Sequence, residues 1–276
     1  MANEGVRVVR ALLDPQLFRN PRVLCNLLAQ ERRQRAESAG DRCHQPEVTE
    51  DMQEILAHWI LEVCEDQQCE YVVFPLAMSY IRKCLSLFPV EKRNLQLLGT
   101  VCVLLASKMK DMVPIKVDTL ELYTACSVAA TEIREWEVNI LYFLHWDLEI
   151  IISLDFLDHI LERLLLSTTS RVSLTRHSRI FLTFCALDNN IAAFAPSVIA
   201  AACVATALLR LGLHLNSAED LIIYLAELIQ ADTSELQNCQ RRIEPALTKA
   251  VETSYKYRIH LTETMQELPH ISVVHN

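Results

Sequence analysis

Residues 95–110 read LQLLGTVCVLLASKMK, and the spacing of their apolar side chains decides the fold class. On a helix, Leu95, Leu98, Cys102, Ala106 and Met109 fall on one stripe, while Leu97, Val101 and Leu104 fall on a second. A helix apolar on two faces belongs at the centre of a bundle, with other helices packed around it. Gly99 in its middle lets a neighbour approach closely. One residue breaks the pattern: Lys108 continues the second stripe, four residues after Leu104.

A stretch of the same kind recurs about a hundred residues later, APSVIAAACVATALLRLGL at 195–213. Helical periodicity surrounds both. Met52, Ile55, Leu56, Trp59, Ile60 and Val63 mark a first helix, and further helices are expected over about 70–87, 91–110, 116–126 and 130–144. After HWDL the pattern restarts with LDFLDHILERLLL and RHSRIFLTFCALD, and helices follow the apolar stretch at 217–230 and 233–252. An earlier helical element, 14–33, carries Val23, Leu24, Leu27 and Leu28, and a polar linker runs from 34 to 45. Two tandem five-helix units behind an N-terminal helix account for all of this. The divisions are 1–45, 46–150, 151–252 and a short polar tail, 253–276. Only four glycines occur, at 5, 40, 99 and 212, too few for most β architectures or phosphate-cradling loops. The fold class is therefore all-α.

Two charges sit where periodicity predicts apolar residues. Glu137 lies on the stripe of the fifth helix, between Leu144 and Leu141 in projection, where burying a carboxylate alone costs several kcal/mol. It marks a rim, or it has a cationic partner. In AMSYIRKCLSL, 77–87, Arg82 and Lys83 share a narrow polar arc with Ser79 and Ser86, Arg82 at its edge beside Met78.

The formal net charge of −9 argues against general nucleic-acid binding, which needs a basic face to displace counterions. The run ERRQR, 31–35, reads as the solvated end of a helix. Ten cysteines include no CxxC pair and lie largely in apolar helical context, so they read as reduced structural thiols of an intracellular protein rather than metal ligands. The N-terminus lacks the apolar run of a secretory signal. The apolar stretch at 189–209 is interrupted by Pro196, leaving about 14 residues where a membrane span needs roughly 20. No HExxH, GxSxG or Gly-rich phosphate loop occurs. These residues point to an interaction scaffold, with no catalytic site and no metal.

The stretches WILEVCEDQQCEYVVFPLAMSYIRKCLSL and LQLLGTVCVLLASKMKDMVPI resemble a cyclin box, specifically that of D-type cyclins. LYTACSV, REWEVNILYFLHWDL, LDFLDHIL, RHSRIFLTFCALD and LQNCQRRIEPAL extend the resemblance over about residues 12–252. It implies a regulatory subunit, without catalysis or cofactor, that binds and activates a D-cyclin-responsive cyclin-dependent kinase and promotes G1/S progression in nucleus and cytoplasm. A cyclin-fold module that sequesters a kinase or another partner without activating it is the alternative. By the resemblance, Lys108 and Glu137 grip the kinase, with Met112, Leu141, Trp146 and Leu148 as apolar surround; the other reading pairs Lys108 with Glu137 inside the fold. Met52, Ile55, Leu56, Trp59 and Glu62, with Leu95 and Gln96, match the family's substrate-docking patch, for a peptide with a basic residue followed by an apolar one. Core packing is the rival role for the stripe residues.

Departures accompany these matches. The family joins its first two helices by an Arg–Asp ion pair; those positions here are Gln53 and Arg82. Both having changed, neither leaves an orphan charge, and Arg82 is expected to turn to a carboxylate near the first helix, such as Glu54 or Glu50, or to solvent. There is no LxCxE motif for retinoblastoma-type pocket proteins and no Thr-Pro or Ser-Pro, so docking and turnover through those motifs are not expected.

Overall fold

The computed structural model describes residues 14–38, 40, 43–164, 166–213 and 217–257, and within them the chain is helical with no strand. Residues 1–13 and the part of the expected polar tail beyond Tyr257 lie outside the described residues. Two helices, α1 (Pro15–Arg19) and α2 (Pro21–Ser38), precede the first unit. That unit is α3 (Glu50–Asp66), α4 (Val73–Leu87), α5 (Leu95–Lys110), α6 (Val117–Tyr123) and α7 (Ala130–Phe143). The second is α8 (Ser153–Leu161), α9 (Thr168–Leu187), a single turn α10 (Asn189–Ala192), α11 (Pro196–Arg210), α12 (Ala218–Ile229) and α13 (Thr233–Tyr257). α2 extends through Ser38, into the stretch read as linker.

Local chemistry starts and stops these helices. The Thr49 hydroxyl accepts from the Met52 N–H at 3.3 Å, with Glu50 and Asp51 in the first turn of α3. Asp14, Ser167 and Ser217 cap α1, α9 and α12 in the same way. α11 opens on Pro196, whose missing N–H costs nothing there. α4 ends at Leu87 because Phe88, directly before Pro89, is extended.

The double apolar stripe of α5 does what its spacing predicts: every residue from Leu97 to Ser107 is buried, and α11 is buried from Ser197 to Leu208. Gly99 is the point of closest approach. A Cβ there would stand 2.7 Å from Leu56 Cδ1, so the missing side chain is what lets α3 lie on α5.

α2 braces the two units. In the run ERRQR the three arginines are exposed as expected, but Glu31 is buried, and its two carboxylate oxygens accept from the Ser197 N–H at 2.7 Å and the Ser197 hydroxyl at 2.8 Å. A carboxylate thus caps α11, where the helix dipole favours negative charge. Arg32 donates to Gln230 at 2.6 Å. The Gln34 amide donates to the Glu149 carbonyl and accepts from the Ile151 N–H, clasping the link between the units. Arg163 donates to the Phe18 carbonyl at 2.6 Å, and Arg19 pairs with Glu162.

The expected partners of Arg82 are wrong. Glu54 pairs instead with Lys249 of α13, at 2.8 Å. Arg82 donates through Nε to Asn189 Oδ1 at 3.1 Å and through a terminal nitrogen to the Ala186 carbonyl in the last turn of α9. Asn189 in turn donates to Gln53 Oε1 at 3.1 Å. Positions 53 and 82 therefore remain linked, through an asparagine of the second unit. Burial lowers the Arg82 guanidinium to about 10, against the attraction of Asp188, and it stays charged at neutral pH.

Candidate functional site

α5 ends in a chain reversal that is pinned from below. Asp111 accepts from the Ser107 hydroxyl at 2.7 Å and from the Glu70 N–H at 2.8 Å, while the Ser107 oxygen accepts from the Ile115 N–H at 2.9 Å. These bonds occupy the polar groups at the turn and hold Met112 and Val113 outward, 69% and 76% exposed. α7 ends similarly. His145 and Trp146 are both left-handed, with φ of +54° and +59°, and the Trp146 N–H reaches back to the Leu141 carbonyl at 2.8 Å. Bulky residues rarely adopt that backbone. Here it holds the Trp146 indole in solvent, 68% exposed.

Between these two projections Lys108 and Glu137 form an ion pair with each other. The pair is at the surface rather than inside: Lys108 is nearly half exposed, and Glu137 sinks deeper. Leu141, expected on the apolar surface, is buried next to it, and Leu148 is half-buried, its carbonyl accepting from the Tyr80 hydroxyl at 2.8 Å. Of the residues singled out in sequence for the surround of this pair, Met112 and Trp146 are the exposed apolar ones. Periodicity missed five more: Met109, Val113, Val138, Tyr142 and Phe143 are also exposed. Their signal was available, since Val138 and Tyr142 are spaced i, i+4 on the face of α7 opposite its core stripe. Phe143 is further ordered by stacking on Phe88, ring centroids 4.6 Å apart.

The second set gathers on α3. Ile55 is 56% exposed, Met52 and Trp59 are partly buried beside it, and Leu56 and Leu95 are buried beneath. Ile55 is thus no core residue, whereas Ile60 is fully buried. Gln96 accepts from the Ser127 hydroxyl at 3.1 Å, which orients its amide at the edge. Glu62 stands at the other end, its carboxyl raised by burial and then by Asp66. Glu65, on the same turn, is raised to about 7 by burial, then by Asp66 and Glu62. α3 holds six carboxylates, Glu50, Asp51, Glu54, Glu62, Glu65 and Asp66, and no lysine or arginine.

Comparison with known proteins supplies the family. The first unit matches the model described as cyclin, N-terminal domain, over residues 22–149, and the second matches cyclin, C-terminal domain, over residues 151–268. The chain belongs to the cyclin family. It is 43% identical to the G1/S-specific cyclin-D3 of Mus musculus over 249 residues, 90% of this chain and 85% of that one. It is 38% identical to the G1/S-specific cyclin-D2 of Xenopus laevis, covering 90% of this chain and 87% of the relative. The solved viral cyclin from herpesvirus saimiri superposes with a TM-score of 0.70 at 26% identity, over 83% of this chain and 97% of that one. As a cyclin the chain is a regulatory subunit for a cyclin-dependent kinase and not an enzyme.

Proposed function

We propose that this cyclin binds and activates a cyclin-dependent kinase of the D-cyclin-responsive kind, promoting passage from G1 into S phase, and that it does so in the nucleus and cytoplasm. The observation that carries the reading is the apolar field around the Lys108–Glu137 pair. Met109, Met112, Val113, Val138, Tyr142 and Trp146 are all exposed on the elements that hold the pair. Exposed apolar surface of that extent is what protein–protein interfaces are made of. A charged pair at its centre gives orientation, because its hydrogen-bonding capacity can be shared with a partner helix while the surround supplies affinity. The kinase contributes ATP binding and phosphoryl transfer. The cyclin holds the kinase's regulatory helix where its glutamate reaches the active-site lysine. The stripe Met52–Ile55–Trp59, with Glu62 at its end, takes substrate peptides in which a basic residue precedes an apolar one.

The decisive experiment is capture of kinases by wild type and by Lys108→Glu with Glu137→Lys, followed by phosphorylation of a pocket-protein fragment. Reversing both charges keeps the internal ion pair and so separates gripping a partner from holding the fold. Loss of the kinase from the reversed protein is expected. Equal capture by both places the interface elsewhere, and capture without phosphorylation converts the activator into a sequestering module.

A further inference from the structure

Tyr71 stands in the turn between α3 and α4 and is 38% exposed. A guanidinium from the other unit covers its ring. Arg179 of α9 places Cζ 4.1 Å from the ring centroid and donates from a terminal nitrogen to the Tyr71 hydroxyl at 3.2 Å. Arg179 is half-buried, and its Nε is buried without a hydrogen-bond partner among the described residues. A cation drawn out of water ordinarily has an anion beside it, because its lost hydration is otherwise unmet. Here the face of a tyrosine ring takes that place, and donors are left over.

Other tyrosine hydroxyls are placed differently. Tyr80 and Tyr224 donate to the Leu148 and Arg163 carbonyls at 2.8 and 3.0 Å, and Tyr123 donates to the Asp66 carboxylate at 3.4 Å. A phosphate on any of these would meet oxygen lone pairs. Among the tyrosines with described side chains, Tyr71 is the one whose hydroxyl accepts from a cation. The approach to it is acidic, with Glu65, Asp66 and Glu70 just before it, and suits an enzyme with a basic peptide cleft.

We propose that Tyr71 is a phosphorylation site for a protein-tyrosine kinase, and that Arg179 clasps the phosphate and so ties the two units together. The Tyr71 oxygen attacks the γ-phosphorus of MgATP, and the bond to the β–γ bridging oxygen breaks. ADP leaves with that electron pair, and the hydroxyl proton passes to the catalytic carboxylate of the tyrosine kinase. The product carries about −1.5 to −2 charges at neutral pH, on oxygens one bond beyond the atom that Arg179 already contacts. The guanidinium offers them planar, charge-assisted hydrogen bonds while keeping its stack on the ring. Tyr71 and Arg179 are 108 positions apart, on different units, so the modification is a charged cross-brace between them.

The test uses the full chain with MgATP and a tyrosine kinase chosen for phosphorylating a synthetic peptide of residues 65–76. Mass spectrometry should map phosphate to Tyr71 in wild type and in Arg179→Gln, and Tyr71→Phe should lose it. A folded chain left unmodified at Tyr71 overturns the proposal. The clasp is read separately, on the phosphorylated proteins. A tyrosine phosphatase should release phosphate at least fivefold more slowly from wild type than from Arg179→Gln. By phosphorus NMR, the second ionisation of the phosphate should fall at lower pH in wild type than in Arg179→Gln, since a guanidinium beside it favours the dianion. Equal release rates and equal ionisation in the two proteins overturn the role of Arg179.

Discussion

Lys108 and Arg210 occupy the same place in the two units. Each stands in the last turn of its central helix, α5 or α11, and each pairs with a glutamate of its unit's fifth helix, Glu137 on α7 or Glu244 on α13. Arg210 donates from Nε to Glu244 at 2.9 Å and lies 5.6 Å above the Phe181 ring. The surroundings differ. Met109, Met112, Val138, Tyr142 and Trp146 are exposed along the elements that carry the first pair, whereas Leu209 is the exposed large hydrophobic among the described side chains of α11 and of α13 as far as Lys249. A third-to-fifth-helix ion pair is thus a packing device available to both units. What makes one of them a partner site is the apolar surface left uncovered around it.

Reversal of both pairs puts that difference to its severest test. Lys108→Glu with Glu137→Lys should cut kinase capture at least 100-fold, about 2.7 kcal/mol. Arg210→Glu with Glu244→Arg should change it less than twofold, as measured by titrated pull-down. Equal losses in both would erase the distinction between the units.

Removing apolar area comes next. Trp146→Ala should weaken kinase binding about 30-fold, near 2 kcal/mol, since exposed tryptophans at such positions are common hot spots. Leu209→Ala should leave binding unaltered. Calorimetry on the two variants reads the contrast directly.

The central helices also begin differently. No side chain caps α5 at Asn94, whereas α11 borrows the carboxylate of Glu31 from α2. Glu31→Ala should therefore lower stability by about 2 kcal/mol, leaving buried donors of α11 unmet. Asn94→Ala should cost less than about 0.5 kcal/mol by the same urea titration.

The smallest effect concerns the acidic α3. The folded chain holds a proton on Glu65 up to about pH 7, where an unfolded glutamate has lost it near its usual 4.5. The native state binds more protons across that interval, so stability falls as pH rises from about 4.5 to 7, and the penalty is fully present above it. Glu65→Gln should flatten that slope and raise Tm more at pH 8 than at pH 5.5.

Much of this architecture was legible in advance because helical periodicity is local. The stripes of α5 and α11 each predicted a buried central helix, and the expected helix at 130–144 differs from α7 by a single residue. Lys108 and Glu137 stood out for the same reason, as charges on apolar stripes. Sequence left open whether they meet each other, and they do, at the surface. Glu31 was misread because a carboxylate inside ERRQR is indistinguishable from its solvated neighbours. The partner that decides its role, Ser197, is 166 residues away. Arg82 was misassigned because its acceptors are a main-chain carbonyl at the end of another helix and an asparagine, neither of which any charge pattern marks.

Sequence alone determined the all-α class, the two-unit repeat and the anomalous charges, because a side chain's position on a helix follows from its spacing of 3.6 residues per turn. Tertiary structure decided which charges pair, which apolar residues stay uncovered and how α2 locks the units together. Those outcomes depend on surfaces brought together from tens of residues apart, as for Lys108 and Glu137, to more than a hundred, as for Glu31 and Ser197, and burial, not the residue's own identity, sets what each contact there is worth.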